Sequence, residues 1–462
     1  MIDTGLMKET LEAVLASGGA AYADLYVEAS RSTSIQIEDS KVEKLLEGTD
    51  SGAGLRLIRD GKTSYAYTNE LAKKAFLQMA SGLRAAASEG HFSGKDLDLV
   101  RRAPAVEYTV KIDPGQVPLE KKVSMLKEAE KAARSYHSSI KQVSVTYREL
   151  AQKVQIASSE GFLAIDDRIQ TIFLINVIAR EGDVVQTGYE PIGGAMGFEI
   201  FDDTPAVEAA LKAAKKAVMM LKARRAPGGR MPVVISSQAG GTMIHEAVGH
   251  GLEADLSQQG LSIYSGKMGQ KIAADIISVV DDATIPGKRG SFRFDDEGTP
   301  AQKTVLIKDG VLTGFMYDRL SAMKAGASPT GNGRRQSYRH RPIPRMTNTM
   351  ISPGKTPAGE ILKSTPKGLL VKKMGGGQVN TLTGDFVFDV QEGYLIEDGQ
   401  VGPPVRGATL AGNGPRVLME IDMAGADLGF SIGTCGKDSQ GVPVSDAQPT
   451  IRVPELVVGG AS

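Results

Sequence analysis

Residues 240 to 256 read GGTMIHEAVGHGLEADL, and His245, Glu246 and His250 are the side chains there that could do chemistry. The chain has five histidines in 462 residues, so two of them five positions apart with a glutamate between stand out from its composition. Imidazole is a common ligand for divalent cations, and a neighbouring carboxylate can accept a proton from activated water; together they point to metal-assisted hydrolysis. The spacing poses a difficulty. The zinc-protease pattern sets its histidines at i and i+4, about 40° apart around a helix, whereas five steps turn the second one about 140° away. A π-bulge restores a shared face, and Gly249 and Gly251 beside His250 ease such a rearrangement.

A catalytic zinc takes three protein ligands, so two histidines are not enough. Glu253, three residues after His250, and Cys435, the one thiol in the chain, are both chemically sensible third ligands. Gly433 and Gly436 suggest a loop in which the backbone approaches a metal held by Cys435. In the plainer reading, both histidines are satisfied structural residues, Glu246 pairs on a helix surface and Cys435 is an inert buried side chain. Spacing alone leaves both readings open.

The elements around these residues read as α+β. The first stretch, MIDTGLMKETLEAVLAS, has helical periodicity interrupted by acids, which suits a surface helix and not a secretion signal. Alternating stretches follow at 22–48 and 51–68, with Arg-Asp-Gly ending at Gly61 as a hairpin turn. Helical stretches at 69–89 and 118–139 surround a Pro-containing connection, and strands resume over 141–161 and 167–190, so the first half carries two related helix-plus-strand units. The helix at 204–226 ends at APGGRMP, which sets a boundary between an N-terminal α+β domain, 1–226, and a β-rich C-terminal domain, 227–462. In the second domain, Asp-Gly pairs ending at Gly310 and Gly399 predict further hairpins. GNGRRQSYRHRPIPRMTN, MGGGQVNTLTGDF and AGNGPR read as loops on the β scaffold.

Charge and composition narrow the function. Lys plus Arg and Asp plus Glu each count 54, leaving no overall field to attract nucleic acid or an anionic membrane. The five arginines of RRQSYRHRPIPR lack an aromatic platform beyond Tyr338 and read as a solvated or substrate-facing loop. SPGKTP is not a phosphate-binding loop, since Thr349 stands where a glycine is required. The apolar run TIFLINVIAR is too short to cross a bilayer, and a lone cysteine fits a reducing compartment, so a cytoplasmic protein is expected.

HEAVGHGLEADL, with GNGRRQSYRHRPIPRMTN, MGGGQVNTLTGDFVFDVQEGYLIEDG and the late GTCGKD, resembles the TldD/PmbA family of metalloproteases over nearly the whole chain. The HExxxH pattern is similar to that of the metal-bearing TldD branch. The resemblance implies His245, His250 and Cys435 as ligands of one divalent metal, with Zn²⁺ expected ahead of Fe²⁺, and Glu246 as general base. Glu253 then moves behind the ligands. It further implies an active site in the second domain and a dimer, formed with a second copy or with a metal-free PmbA/TldE-like homologue, whose cavity admits unfolded peptides. A metal-dependent small-molecule amidohydrolase and a regulatory subunit with structural histidines are the competing expectations.

Overall fold

The computed structural model describes residues 1–16, 21–85 and 97–460. The first region opens with α1 (Thr4–Leu15), β1 (Tyr22–Glu38), β2 (Lys41–Arg59), β3 (Lys62–Thr68) and α2 (Lys73–Ala85). It repeats that order with α3 (Leu119–Ser135), β4 (Ile140–Ser158), β5 (Phe162–Glu181), β6 (Val184–Gly194) and α4 (Ala206–Leu221). The two three-stranded meanders join edge to edge where β1 runs antiparallel to β4, giving one sheet. The expected pair of helix-plus-strand units is therefore present, fused through their first strands. Of the helix expected at 69–89, residues 86–89 lie outside the described residues.

Side-chain alternation gives this sheet two different faces. Leu25, Val27, Ile35 and Ile37 of β1 point to the helix side, the first two packing with α1 and α2 and the last two with α3 and α4. The alternate residues Tyr26, Val154 and Ile156 pack instead with Phe294 and Tyr338 of the second region. The sheet thus buries both faces around the first half of β1, where its second face is the junction between the two halves, while residues 41–49 of β2 stay exposed.

Three hairpin expectations hold: Asp60–Gly61, Asp309–Gly310 and Asp398–Gly399 all have positive φ at both residues, as a tight primed turn requires. The alternating stretch 22–48 is not continuous. Asp39 and Ser40 also adopt positive φ and turn β1 into β2, a turn made without glycine because Asp tolerates the left-handed region.

Among the described residues the second region has two large sheets and a two-stranded ribbon that pairs Gly333–Arg334 with Ile343–Pro344. Its longer strands are β7 (Gly229–Ile235), β8 (Val279–Asp282), β9 (Lys303–Lys308), β10 (Asn348–Ile351), β11 (Lys367–Val379) and β12 (Asp385–Glu397). They continue with β13 (Gln400–Arg406), β14 (Thr409–Asn413), β15 (Gly429–Lys437), β16 (Gln440–Gln448) and β17 (Ile451–Gly459). The pairings β11–β7–β17–β14–β12 return to β11 and close on themselves. The other sheet runs β9–β8–β10–β16–β15, with β15 at its edge. One hydrophobic core joins both sheets to the helical segment 242–252.

Three glycine-rich stretches expected to be loops are partly regular. Gly375–Gly377 lie within β11, where the pairing with β12 slips register and tolerates missing side chains. In AGNGPR, Ala411 to Asn413 belong to β14 and Gly414 to Arg416 begin a short helix. Cys435 sits on β15, opposite Val442 of β16 in a hairpin turned by Asp438 and Ser439, and not in a loop.

The arginine-rich segment 331–348 is largely irregular, as expected, but it is not a solvated loop: Arg334, Arg335 and Arg345 are buried. It straps the second region to the open face of the first sheet. Arg335 lies over the Tyr26 ring at 4.3 Å, Tyr65 Oη donates to the Tyr338 carbonyl at 2.6 Å, and the Tyr338 amide donates to Glu28 at 3.0 Å. Gly52 is required here, because a Cβ would stand 2.2 Å from the Tyr338 ring. Among the described residues no helix is long and apolar enough to cross a membrane.

Candidate metal centre

His245 to Gly249 form one turn of π-helix, set between a short α-helical turn, Thr242–Ile244, and a 3₁₀ turn, His250–Leu252. The wider turn absorbs the extra residue that an i, i+5 spacing adds, so His245 and His250 converge instead of diverging. Their ring centroids are 5.2 Å apart and the planes are nearly perpendicular, at 89°. Gly249 and Gly251 serve packing more than pliancy. A Cβ at Gly249 would lie 2.0 Å from the Met346 sulfur, and one at Gly251 would lie 2.7 Å from the Tyr264 ring.

The edge strand β15 brings Cys435 to this pair across more than 180 residues of sequence. Ligand atoms from His245, His250 and Cys435 all lie within 4.8 Å of one another, and Cys435 Sγ is 3.5 Å from His250 Nε2. Burial by itself raises the thiol, but hydrogen bonds from His245 and His250 and their charge outweigh it and bring Cys435 down to about 5. Burial likewise opposes protonation of His250, and Glu253 and Cys435 reverse that effect. The cluster is a thiolate facing two imidazoles, which suits a soft or borderline divalent cation. His245 Nδ1 is buried without a hydrogen-bond partner, a second sign that the polar valences here are not all met within the protein.

Glu253 lies behind His250, outside the three-residue cluster. Its Oε2 is 3.1 Å from His250 Nδ1, leaving Nε2 directed at Cys435. Burial raises Glu253, yet Lys437 at 3.2 Å and His250 overcome this and hold it at about 2, firmly ionised. Lys437 also binds Asp255 at 2.7 Å, and Arg345 donates to the Cys435 carbonyl. A carboxylate holding the far nitrogen of an imidazole is the arrangement that fixes metal-ligating histidines.

Lys437, Arg345 and Asp446 were not singled out from sequence. Lys437 had a legible signal, since it lies two residues after Cys435 and a strand puts i and i+2 on one face. Arg345 and Asp446 had none. Asp446, buried near His245 and accepting from Ser431 at 2.8 Å, reaches the site only through the pairing of β15 with β16.

The three residues stand in the wall of a cleft of about 750 Å³. Tyr189, Glu190 and Met196 of the first region line it together with β15 and Lys373. Glu246 is half-buried, opens both to this cleft and to a second recess beside Gln378 and Lys437, and forms no hydrogen bond or ion pair with another described side chain. Glu246 is thus unspent, while every carboxylate behind the cluster is engaged.

Two imidazoles, a thiolate and a carboxylate without a described partner in a shared cleft have the chemistry of a metal-binding group with a proton acceptor beside it. Comparison with known proteins narrows that chemistry. Models of the PmbA/TldA metallopeptidase family match domain 1 at residues 23–90, the central domain at 112–221 and the C-terminal domain at 228–460. The metalloprotease TldD homolog of Haemophilus influenzae is 37% identical over 96% of this chain and 93% of its own length. A metalloprotease of Methanothermobacter thermautotrophicus is 36% identical over 95% of each chain. The fold matches a Thermotoga maritima protein described as a modulator of a DNA gyrase, with a TM-score of 0.81 at 22% identity over 99% of this chain and 100% of that one. It also matches TldE from Thermococcus kodakarensis, with a TM-score of 0.75 at 19% identity over 98% of this chain and 100% of that one. The chain belongs to the PmbA/TldD metallopeptidase family.

Proposed function

We propose that this protein is a metal-dependent peptidase of the TldD branch that hydrolyses extended, unfolded peptides. In this reading His245, His250 and Cys435 hold the metal and Glu246 is the general base. The convergence of the three donors through the π-turn, beside a carboxylate left free in the cleft, carries the reading. Zinc is favoured over iron(II) because a thiolate with two imidazoles is a donor set that suits it.

When bound, the cation would supply Lewis acidity and acidify water at neutral pH. Glu246 takes up a proton from water and returns it to the departing amine, a role open to it because no other described side chain holds its carboxylate. Glu253 and Lys437 keep His250 in one tautomer and orientation. The outer edge of β15 offers main-chain groups to an extended peptide, which favours recognition by backbone over recognition by side chain. Residues 1–226 act as a wall of the cleft and 227–462 as the metal-bearing domain, a division supported by the two regions' shares of the lining. A partner subunit, identical or TldE-like, would complete the enclosure; the likeness in fold to TldE supports such a pairing.

The test is metal analysis combined with cleavage of unfolded peptides and of single acylated amino acids, before and after chelation and after return of zinc or iron(II). Loss on chelation, recovery with zinc and a requirement for several residues are expected. Undiminished cleavage by metal-depleted protein would overturn the reading, and activity confined to acylated amino acids would assign an amidohydrolase.

A further inference from the structure

We infer that a lysine-lined chamber beside the metal cleft is a subsite for a carboxylate of the peptide substrate. The inference rests on the peptidase reading for the nature of the ligand. The chamber, about 480 Å³, lies between α4, which contributes Lys212, Lys215 and Lys216, and β11, which contributes Lys372 and Lys373. It is continuous with the metal cleft, since Glu190, Gln238 and Lys373 line both.

The charges inside it do not balance. Glu190 and Glu392 are its two acids. Lys216 binds Glu190 at 2.6 Å and Glu392 at 3.4 Å, while Lys373 binds Glu190 at 3.2 Å and the Tyr189 carbonyl at 2.7 Å. The two acids are thereby taken up by the two deeper lysines. Lys212 and Lys215, one turn apart on α4, and Lys372, over the Tyr394 ring at 5.0 Å, have no carboxylate partner among the described residues. In a chain of zero formal net charge this excess is local. Burial, then the nearby Lys216, lowers Lys373 to about 8, consistent with crowding of positive charge.

An extended peptide advances about 3.3 Å per residue, so a chain lying in the cleft can carry an acidic side chain, or its own C-terminal carboxylate, into the chamber. If the lysines were only a solvated helix face, they would confer no selectivity on the cleft.

Matched peptides carrying Glu or Gln at one scanned position, each with an acid or an amide C-terminus, test the assignment. They are compared on the wild type, on the triple variant Lys212→Gln, Lys215→Gln, Lys372→Gln, and on the corresponding triple Arg variant. The readouts are KM against kcat, and fluorescence anisotropy of labelled peptides on metal-depleted protein at low and high salt. A carboxylate in one register should lower KM about 2- to 5-fold at low salt, with the advantage shrinking as salt rises. It should vanish in the Gln variant and persist in the Arg variant. The amide arm tells a terminal carboxylate from a side chain. A wild type indifferent to acidic residues in every register, or a preference that survives the Gln variant, would overturn the assignment. Acid-selective binding without any cleavage would uphold the chamber and defeat the peptidase reading.

Discussion

Two clusters of charge in this molecule are alike in being buried and differ in what they can do. One is the group formed by His245, His250, Cys435, Glu253 and Lys437. The other lies where the arginine strap crosses the first sheet: Arg56 joins Asp24 to Glu297, with Arg56 Nε at 2.6 Å from Asp24 and Nη1 at 2.7 Å from Glu297, and Arg335 also faces Asp24. Asp24, Arg56, Glu297 and Arg335 are all at most 4% exposed. In the strap cluster the carboxyl and guanidinium groups face one another, and Arg335 Nε stays buried without a hydrogen-bond partner. The metal cluster keeps donors and one carboxylate turned toward a cleft. Burial and perturbed ionisation do not by themselves mark a functional site; an unmet valence facing open space does.

Substitutions should separate the two clusters in kind as well as size. Cys435→Ala removes a proposed ligand and should abolish both metal retention and hydrolysis, a greater loss than the 10–100-fold typical of residues that only orient ligands. Full metal occupancy in that variant would return Glu253 to the ligand set. Glu246→Gln should cut peptide turnover by about 10²-fold or more while metal content and melting temperature stay at wild-type values. A metal-loaded variant with near-normal turnover would remove Glu246 as base. Glu253→Gln weakens the hold on His250 and should reduce metal affinity by about 10-fold or more, measured by competition with a chromophoric chelator.

The strap should respond through stability. Arg335→Met leaves Asp24 with Arg56 alone, removes the buried donor to the Asp296 carbonyl and should cost about 3 kcal/mol in denaturant unfolding, with metal affinity per folded molecule unchanged. A parallel loss of metal affinity would show the two clusters to be coupled. The strap also carries a pH dependence. Burial lifts Glu297 to about 8, with Arg56 pulling it down and Asp318, Asp295 and Asp24 adding to the rise. The folded state then holds a proton that the unfolded chain releases at its ordinary value, so this contribution is present at low pH and is lost as pH climbs from about 4.5 through about 8. Melting temperature should fall over that window, and Glu297→Gln should flatten the slope.

How far the sequence could be read follows from the same contrast. HEAVGH is local, so its residue types announced a site, and its awkward spacing announced the π-turn that corrects it. Asp-Gly turns and strand alternation are local as well, and they were legible. The strap reads as a solvated loop because Arg334, Arg335 and Arg345 look exposed until Asp24 and the carbonyls of Asp296, Met346 and Cys435 are brought to them, whereas Arg339 and Arg341 do stay exposed. Cys435 was placed in a loop because its flanking glycines hide the alternation that marks a strand.

The sequence by itself determined the helical segment with its two histidines and Glu246, the pair of helix-plus-strand units in the first half and the Asp-Gly hairpins, because each depends on residues within a few positions of one another. Only the tertiary structure brought Cys435 beside the two histidines with Glu253 behind them, left Glu246 without a partner among the described side chains, and used Arg334, Arg335 and Arg345 to lock the halves together. Those outcomes depend on which strand becomes the sheet edge and which face of the first sheet is covered. Both are set by the packing of the whole chain, where burying a charge is tolerated only beside a partner that the local sequence does not contain.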